Sequence, residues 1–174
     1  TRWLSDWSSD VCSSDLDFGL ARRFFGMERV RQVTHAFNAM SAYHHREPGL
    51  IGAALLDDNV WMEMIPDGHH LSGPTIALLH RTKGPGRLMM ITDGSGATGL
   101  PEGSRVTSVG GATVVEDDAV RLASDGTLAG SNILMAGALA RTRTLGGVPM
   151  EDALEMATLT PARSIHREAL IGSI

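Results

Sequence analysis

The chain has 174 residues, 43% of them hydrophobic and 20% charged, with a formal net charge of −5. That composition excludes a disordered tail or a collagen-like fibre, and an acidic balance offers nucleic acid no basic stripe. No apolar run approaches the ~18 residues of a membrane span, and one cysteine allows no internal disulfide, so the fold rests on its core.

Residues Thr1 to Leu16 stand apart. They repeat Ser-Asp and Ser-Ser-Asp around Trp7 and Cys12, with neither helical nor strand periodicity. A secretory leader would need a cationic start and an unbroken apolar stretch, and the segment reads as neither. Cys12 has no second thiol with which to bind metal. A string GTG-TGC-TCT-TCC-GAT-CT, with any third base completing the last codon, would encode Val11 to Leu16, and it resembles the end of a sequencing adaptor. Residues 1–16 are therefore expected to be non-native read-through, and 17–174 to form the domain.

After Leu16, strands and helices alternate. Leu20 to Val30 reads as a short helix with Gly26 as its stop, and Arg29 to His35 as a strand. Asn59 to His70 holds a second strand, closed by Pro66, Asp67 and Gly68 as turn residues. Ser72 to Gly84 predicts a helix with Ser72 as N-cap and Pro74 in its first turn. Arg87 to Gly94 is a strand of the continuous apolar kind. Gly94 to Asn132, rich in Gly, Ser and Asp, predicts two or three hairpin strands. Two helices follow, the second running from Met150 through His166.

Such alternation predicts an α/β fold with a parallel sheet. His35, His70 and Asp93 each fall just after a strand, which is where a (β/α)8 barrel builds its active site. Only three or four βα units are present, against the ~250 residues of a full barrel. The expectation is an incomplete TIM-type barrel: its C-terminal strands and helices, with a small β-hairpin insertion.

Five of the seven histidines lie between His35 and His70. Imidazole is the usual nitrogen ligand for zinc or iron, completed by carboxylates. There is no HExxH motif, so the donors would be dispersed over strand ends. His44, His45, His80 and His166 are read as loop residues facing water. Gly94-Ser95-Gly96 lacks the lysine of a phosphate loop and the spacing of a nucleophile elbow. The nine methionines stand at core spacing.

Six motifs stand in order: THAFNAM (Thr34 to Met40), HREPGLIGAAL (His45 to Leu55), PDGHH (Pro66 to His70), ITDG (Ile91 to Gly94), SDGTLAGS (Ser124 to Ser131) and MATLTPARSIH (Met156 to His166). Together they resemble the second half of the N-acetylglucosamine-6-phosphate deacetylase family of the amidohydrolase superfamily. The resemblance runs from about residue 18 to the end. It departs at Gly94, where the family has alanine, and at Pro66.

The resemblance implies roles for single residues. His35 matches a metal-ligand histidine, and Asn38 and Ala39 match a pair that holds the sugar phosphate. Arg46 matches an arginine that contacts phosphate across a dimer interface, a task suited to a planar bidentate fork. His70 matches a substrate-binding histidine, and Leu128, Ala129 and Gly130 match a loop over the sugar. Asp93 matches the catalytic aspartate, which takes a proton from the attacking water and returns it to the departing amine. A divalent metal ion, zinc or iron, is implied, together with a homodimer, a phosphorylated amino-sugar substrate and a cytoplasmic setting. The remaining metal ligands, a glutamate and a histidine, are expected on earlier strands. Two other readings stand beside this one: another amidohydrolase, dihydroorotase-like or deaminase-like, and a non-catalytic sugar-phosphate-binding module.

Overall fold

The computed structural model describes residues 16–27, 30–108 and 110–173. Most of the expected read-through segment lies outside the described residues. Leu16, placed with that segment above, packs half-buried against the core.

Helix α1 (Phe18–Gly26) starts at Asp17, whose carboxylate accepts the Leu20 N–H at 2.7 Å. This is N-capping as its residue type favours. Strand β1 (Gln32–Val33) is followed by α2 (Gly49–Leu55), β2 (Trp61–Met64), α3 (Gly73–Lys83) and β3 (Leu88–Met90). The three strands form one parallel sheet in the order β1-β2-β3. Met62, Met64, Leu88 and Met90 from this sheet share a buried core with Ile51 of α2 and Ile76 and Leu79 of α3. Packing is thus the role of these methionines.

The stretch after β3 forms four strands, more than the two or three expected: β4 (Arg105–Ser108), β5 (Gly111–Glu116), β6 (Ala119–Leu122) and β7 (Leu128–Ser131). They make an antiparallel sheet in chain order. Asp117 and Asp118 both have positive φ, 52° and 58°, at the β5–β6 turn, the conformation a tight hairpin requires. The last strand has a second allegiance. Ser131 makes a parallel bridge with Gly94, which brings β7 alongside the end of β3.

Helix α4 (Met135–Gly146) packs on α3, and α5 (Met150–Ala157) packs on α4 and β3. The single helix expected over 150–166 is two, because the chain breaks at Thr158 before α6 (Leu159–Ser164). Pro161 explains the break: in an unbroken helix its ring would collide with the carbonyl four residues back, whereas the first turn of a new helix tolerates it. His80, expected to face water from a loop, sits on α3 with Nε2 2.7 Å from Asp152 Oδ2 of α5. Among the described residues no helix is long and apolar enough to cross a membrane.

Candidate active site

Because β1, β2 and β3 are parallel and adjacent, the residues that follow them emerge at one end of the sheet. His35 follows β1, His70 follows β2 and Asp93 follows β3. The three residues therefore lie in segments that leave the sheet at the same end, and the Gly94–Ser131 bridge adds β7 to it. Backbone strain gathers there too. His35, Phe37, Ala39 and Asp93 have φ of 32°, 72°, 49° and 48°, in a region unfavourable to side chains and held only where surroundings over-determine it.

His35 is fixed from β2. The Thr34 hydroxyl donates to Glu63 Oε2 at 2.5 Å, and the Ala36 N–H donates to the Glu63 carbonyl at 2.7 Å. The Asn38 N–H turns back to the His35 carbonyl at 2.8 Å. The ring itself is left with Nδ1 buried and without a hydrogen-bond partner. Buried polar atoms are normally satisfied, so an orphaned imidazole nitrogen at a strand end suits a metal ligand. The rest of a donor set is not assembled: among the described residues no three His, Cys, Asp or Glu side chains could jointly hold a metal ion.

His70 is held by a residue read above only as turn punctuation. Asp67 Oδ1 accepts the His69 and His70 N–H groups at 2.9 and 2.7 Å, and Oδ2 lies 2.6 Å from His70 Nδ1. Burial would raise the Asp67 carboxyl, but the hydrogen bonds and charge of His70 outweigh it and hold the group below its ordinary value. The Asp67 carbonyl in turn accepts from the Arg141 guanidinium, which also pairs with the Asp118 carboxylate. Arg141 thus ties the hairpin tip to the His70 loop.

The remaining expected residues are less concentrated. Asn38 is half-buried and Ala39 exposed on the turn after His35. Arg46 lies on an exposed turn closed by paired backbone bonds between His44 and Glu47, its Nη1 3.0 Å from His45 Nε2. His44 and His45 do face water there, their rings 4.2 Å apart. Leu128, Ala129 and Gly130, expected as a loop, form most of strand β7. The strand arises because their backbone pairs with β6 on one side and leads into the Gly94 bridge on the other. Gly130 has φ 132°, and a Cβ there would stand 3.0 Å from the Asp93 carbonyl oxygen.

No protein-family model matches the chain. It is 39% identical over 142 residues to an N-acetylgalactosamine-6-phosphate deacetylase of Escherichia coli O157:H7, covering 82% of this chain and 37% of that protein. A protein of Escherichia coli strain K12 that carries the same name provisionally is 39% identical over 140 residues, 80% of this chain and 82% of that one. The chain belongs to the N-acetylhexosamine-6-phosphate deacetylase family. The crystal structure of N-acetylglucosamine-6-phosphate deacetylase from Pasteurella multocida superposes on 93% of the chain with a TM-score of 0.85 at 29% identity. The chain covers 42% of that structure, so this deacetylase-family chain spans well under half of two of these three relatives.

Proposed function

We propose that the chain is the C-terminal part of the (β/α)8 barrel, with a β-hairpin insertion, of a deacetylase. The whole protein would hydrolyse the acetamido group of N-acetylglucosamine 6-phosphate to glucosamine 6-phosphate and acetate. The placement of His35, His70 and Asp93 in the segments that follow three adjacent parallel strands carries this reading. N-acetylgalactosamine 6-phosphate is the second substrate reading, because both Escherichia coli relatives bear that name.

His35 would contribute one ligand to a divalent metal, zinc or iron, with the others supplied by parts of the protein beyond those described. Such a metal, when bound, supplies Lewis acidity toward the amide carbonyl and lowers the pKa of water beside it. Asp93 takes the proton of the attacking water and delivers it to the sugar nitrogen as the C–N bond breaks. With Nδ1 committed to Asp67, His70 offers Nε2 to a sugar hydroxyl. Asn38 and the Ala39 N–H bind the phosphosugar, and Leu128 to Gly130 line it. Arg46, exposed on its turn, is free to meet the phosphate of a substrate bound in the partner subunit of a cytoplasmic homodimer.

The test is acetate release from both epimers by the full-length enzyme, with and without added divalent metal. Metal-dependent release with a preference for the gluco epimer supports the first reading, and preference for the galacto epimer supports the second. No release from either sugar phosphate overturns both. The isolated 174-residue chain should be inactive, since catalytic zinc sites typically hold three protein ligands.

A further inference from the structure

Asp93 is half-buried at the end of β3, its backbone in the left-handed region with φ 48°. A non-glycine residue keeps such a conformation only under restraint from its neighbours. Two peptide planes meet at its Cα, and rotating one changes φ while rotating the other changes ψ. Ser131, with no solvent exposure, bonds to both of them. Its hydroxyl donates to the Thr92 carbonyl, and its N–H donates to the Asp93 carbonyl at 3.3 Å.

Ser131 is itself anchored. Its carbonyl accepts the Thr98 hydroxyl at 2.6 Å, and that hydroxyl oxygen accepts the Ser95 N–H at 2.8 Å. The next residue, Asn132, accepts the Gly99 N–H at 2.8 Å. The loop after Asp93 is therefore stapled at both ends to the end of β7. A Cβ on Gly94 would stand 3.1 Å from the Thr98 hydroxyl oxygen, so the glycine leaves room for this staple.

We propose that Ser131 is a positioning residue for the proton-transfer step: by bonding the carbonyls on both sides of Asp93, it sets the backbone angles that aim the carboxylate. The proposal rests on the deacetylase reading of Asp93, and it assigns Ser131 no contact with substrate. Misplacing a reacting group by ~1 Å can reduce turnover ~100-fold, so a backbone tether of this kind bears on rate more than on affinity.

The test has two readouts. In the 174-residue chain, Ser131→Ala should shift the NMR signals of Asp93 and Gly94 and weaken exchange protection of the Ser131-position amide; Ser131→Thr, which retains the hydroxyl, should restore them. If the buried site does not admit a threonine methyl, Thr98→Val removes the outer staple and should shift the same signals to a smaller extent. In the full-length enzyme, Ser131→Ala should reduce kcat ~10- to 100-fold with KM changed less than ~3-fold. A lower melting temperature with unchanged Asp93 signals and unchanged kcat makes Ser131 merely structural and overturns the proposal. An Asp93→Asn enzyme of undiminished turnover would instead remove Asp93 from the proton transfer on which the proposal rests, an outcome the NMR comparison does not mimic.

Discussion

Oδ2 of Asp67 lies 2.6 Å from Nδ1 of His70, and 0% and 2% of the two side chains is exposed. With its Oδ1 already accepting two backbone N–H groups, the carboxylate compels Nδ1 to carry the proton. In the neutral ring Nε2 is then an acceptor. Asp67→Asn preserves the shape but can present an amide N–H where an acceptor stood. The neutral His70 should then switch its proton to Nε2, visible in nitrogen NMR of the ring. Stability should fall by ~1–3 kcal/mol, measured by urea unfolding. An unaltered tautomer would show that something other than Asp67 orients His70.

The same pair makes acid stability predictable in sign. The Asp67 carboxyl lies below its ordinary value in the folded chain. As pH falls, the unfolded chain therefore binds this proton first, near ~3.9. The contribution is fully present above that value and is lost as pH falls through the folded value. Over ~pH 5 to ~2 the stability difference between the native chain and Asp67→Asn should shrink steadily. A difference that stays constant or widens would contradict the assigned shift.

Arg141 supplies a third test, of how the hairpin is joined to the sheet. Its guanidinium bonds the Asp67 carbonyl and the Asp118 carboxylate. Arg141→Ala should increase amide exchange at the Asp117–Asp118 turn and at His69–His70 together. Because Asp118 is more than half exposed, 53%, the loss of global stability should be small, ~0–1 kcal/mol for the ion pair. Faster exchange at one place alone would mean that Arg141 does not couple the two.

The elements readable in advance were those whose pattern has a local cause. Leu88 to Met90 form a strand buried on both faces, and apolar residues stand there without interruption. Helix α3 starts directly after Ser72, which stands at the N-cap position with its hydroxyl against that of Thr75 rather than a backbone N–H, and Pro74 lies in its first turn, a local signal. Helix α2 carried no such signal: Gly49 to Ala54 are all buried, and a helix apolar on every side shows no amphipathic period. His35, His70 and Asp93 were visible because strand ends are where α/β chemistry collects. Ser131 was not, since its partners are backbone carbonyls 39 and 38 positions away, at Thr92 and Asp93. Asp67 was hidden by its setting, because Pro-Asp-Gly explains itself as a turn. Its pairing with the ring of His70 emerges only once that turn closes.

The last prediction separates two roles proposed for charged residues in the full-length enzyme. Asp93 emerges from the end of β3, whereas Arg46 lies on an exposed turn beside His45. Asp93→Asn retains size and hydrogen bonding but cannot take the proton from water, so kcat should fall by ~100-fold or more, since general base catalysis contributes ~100- to 10,000-fold. Arg46→Ala should leave kcat within about threefold and raise KM, because a phosphate contact is made equally in ground and transition states. Arg46→Lys should recover only part of the loss, a point charge replacing a bidentate fork. Steady-state acetate release across substrate concentrations distinguishes these outcomes. An Arg46→Ala enzyme with normal KM would remove phosphate recognition from that turn, and an Asp93→Asn enzyme with normal kcat would remove Asp93 from the chemistry.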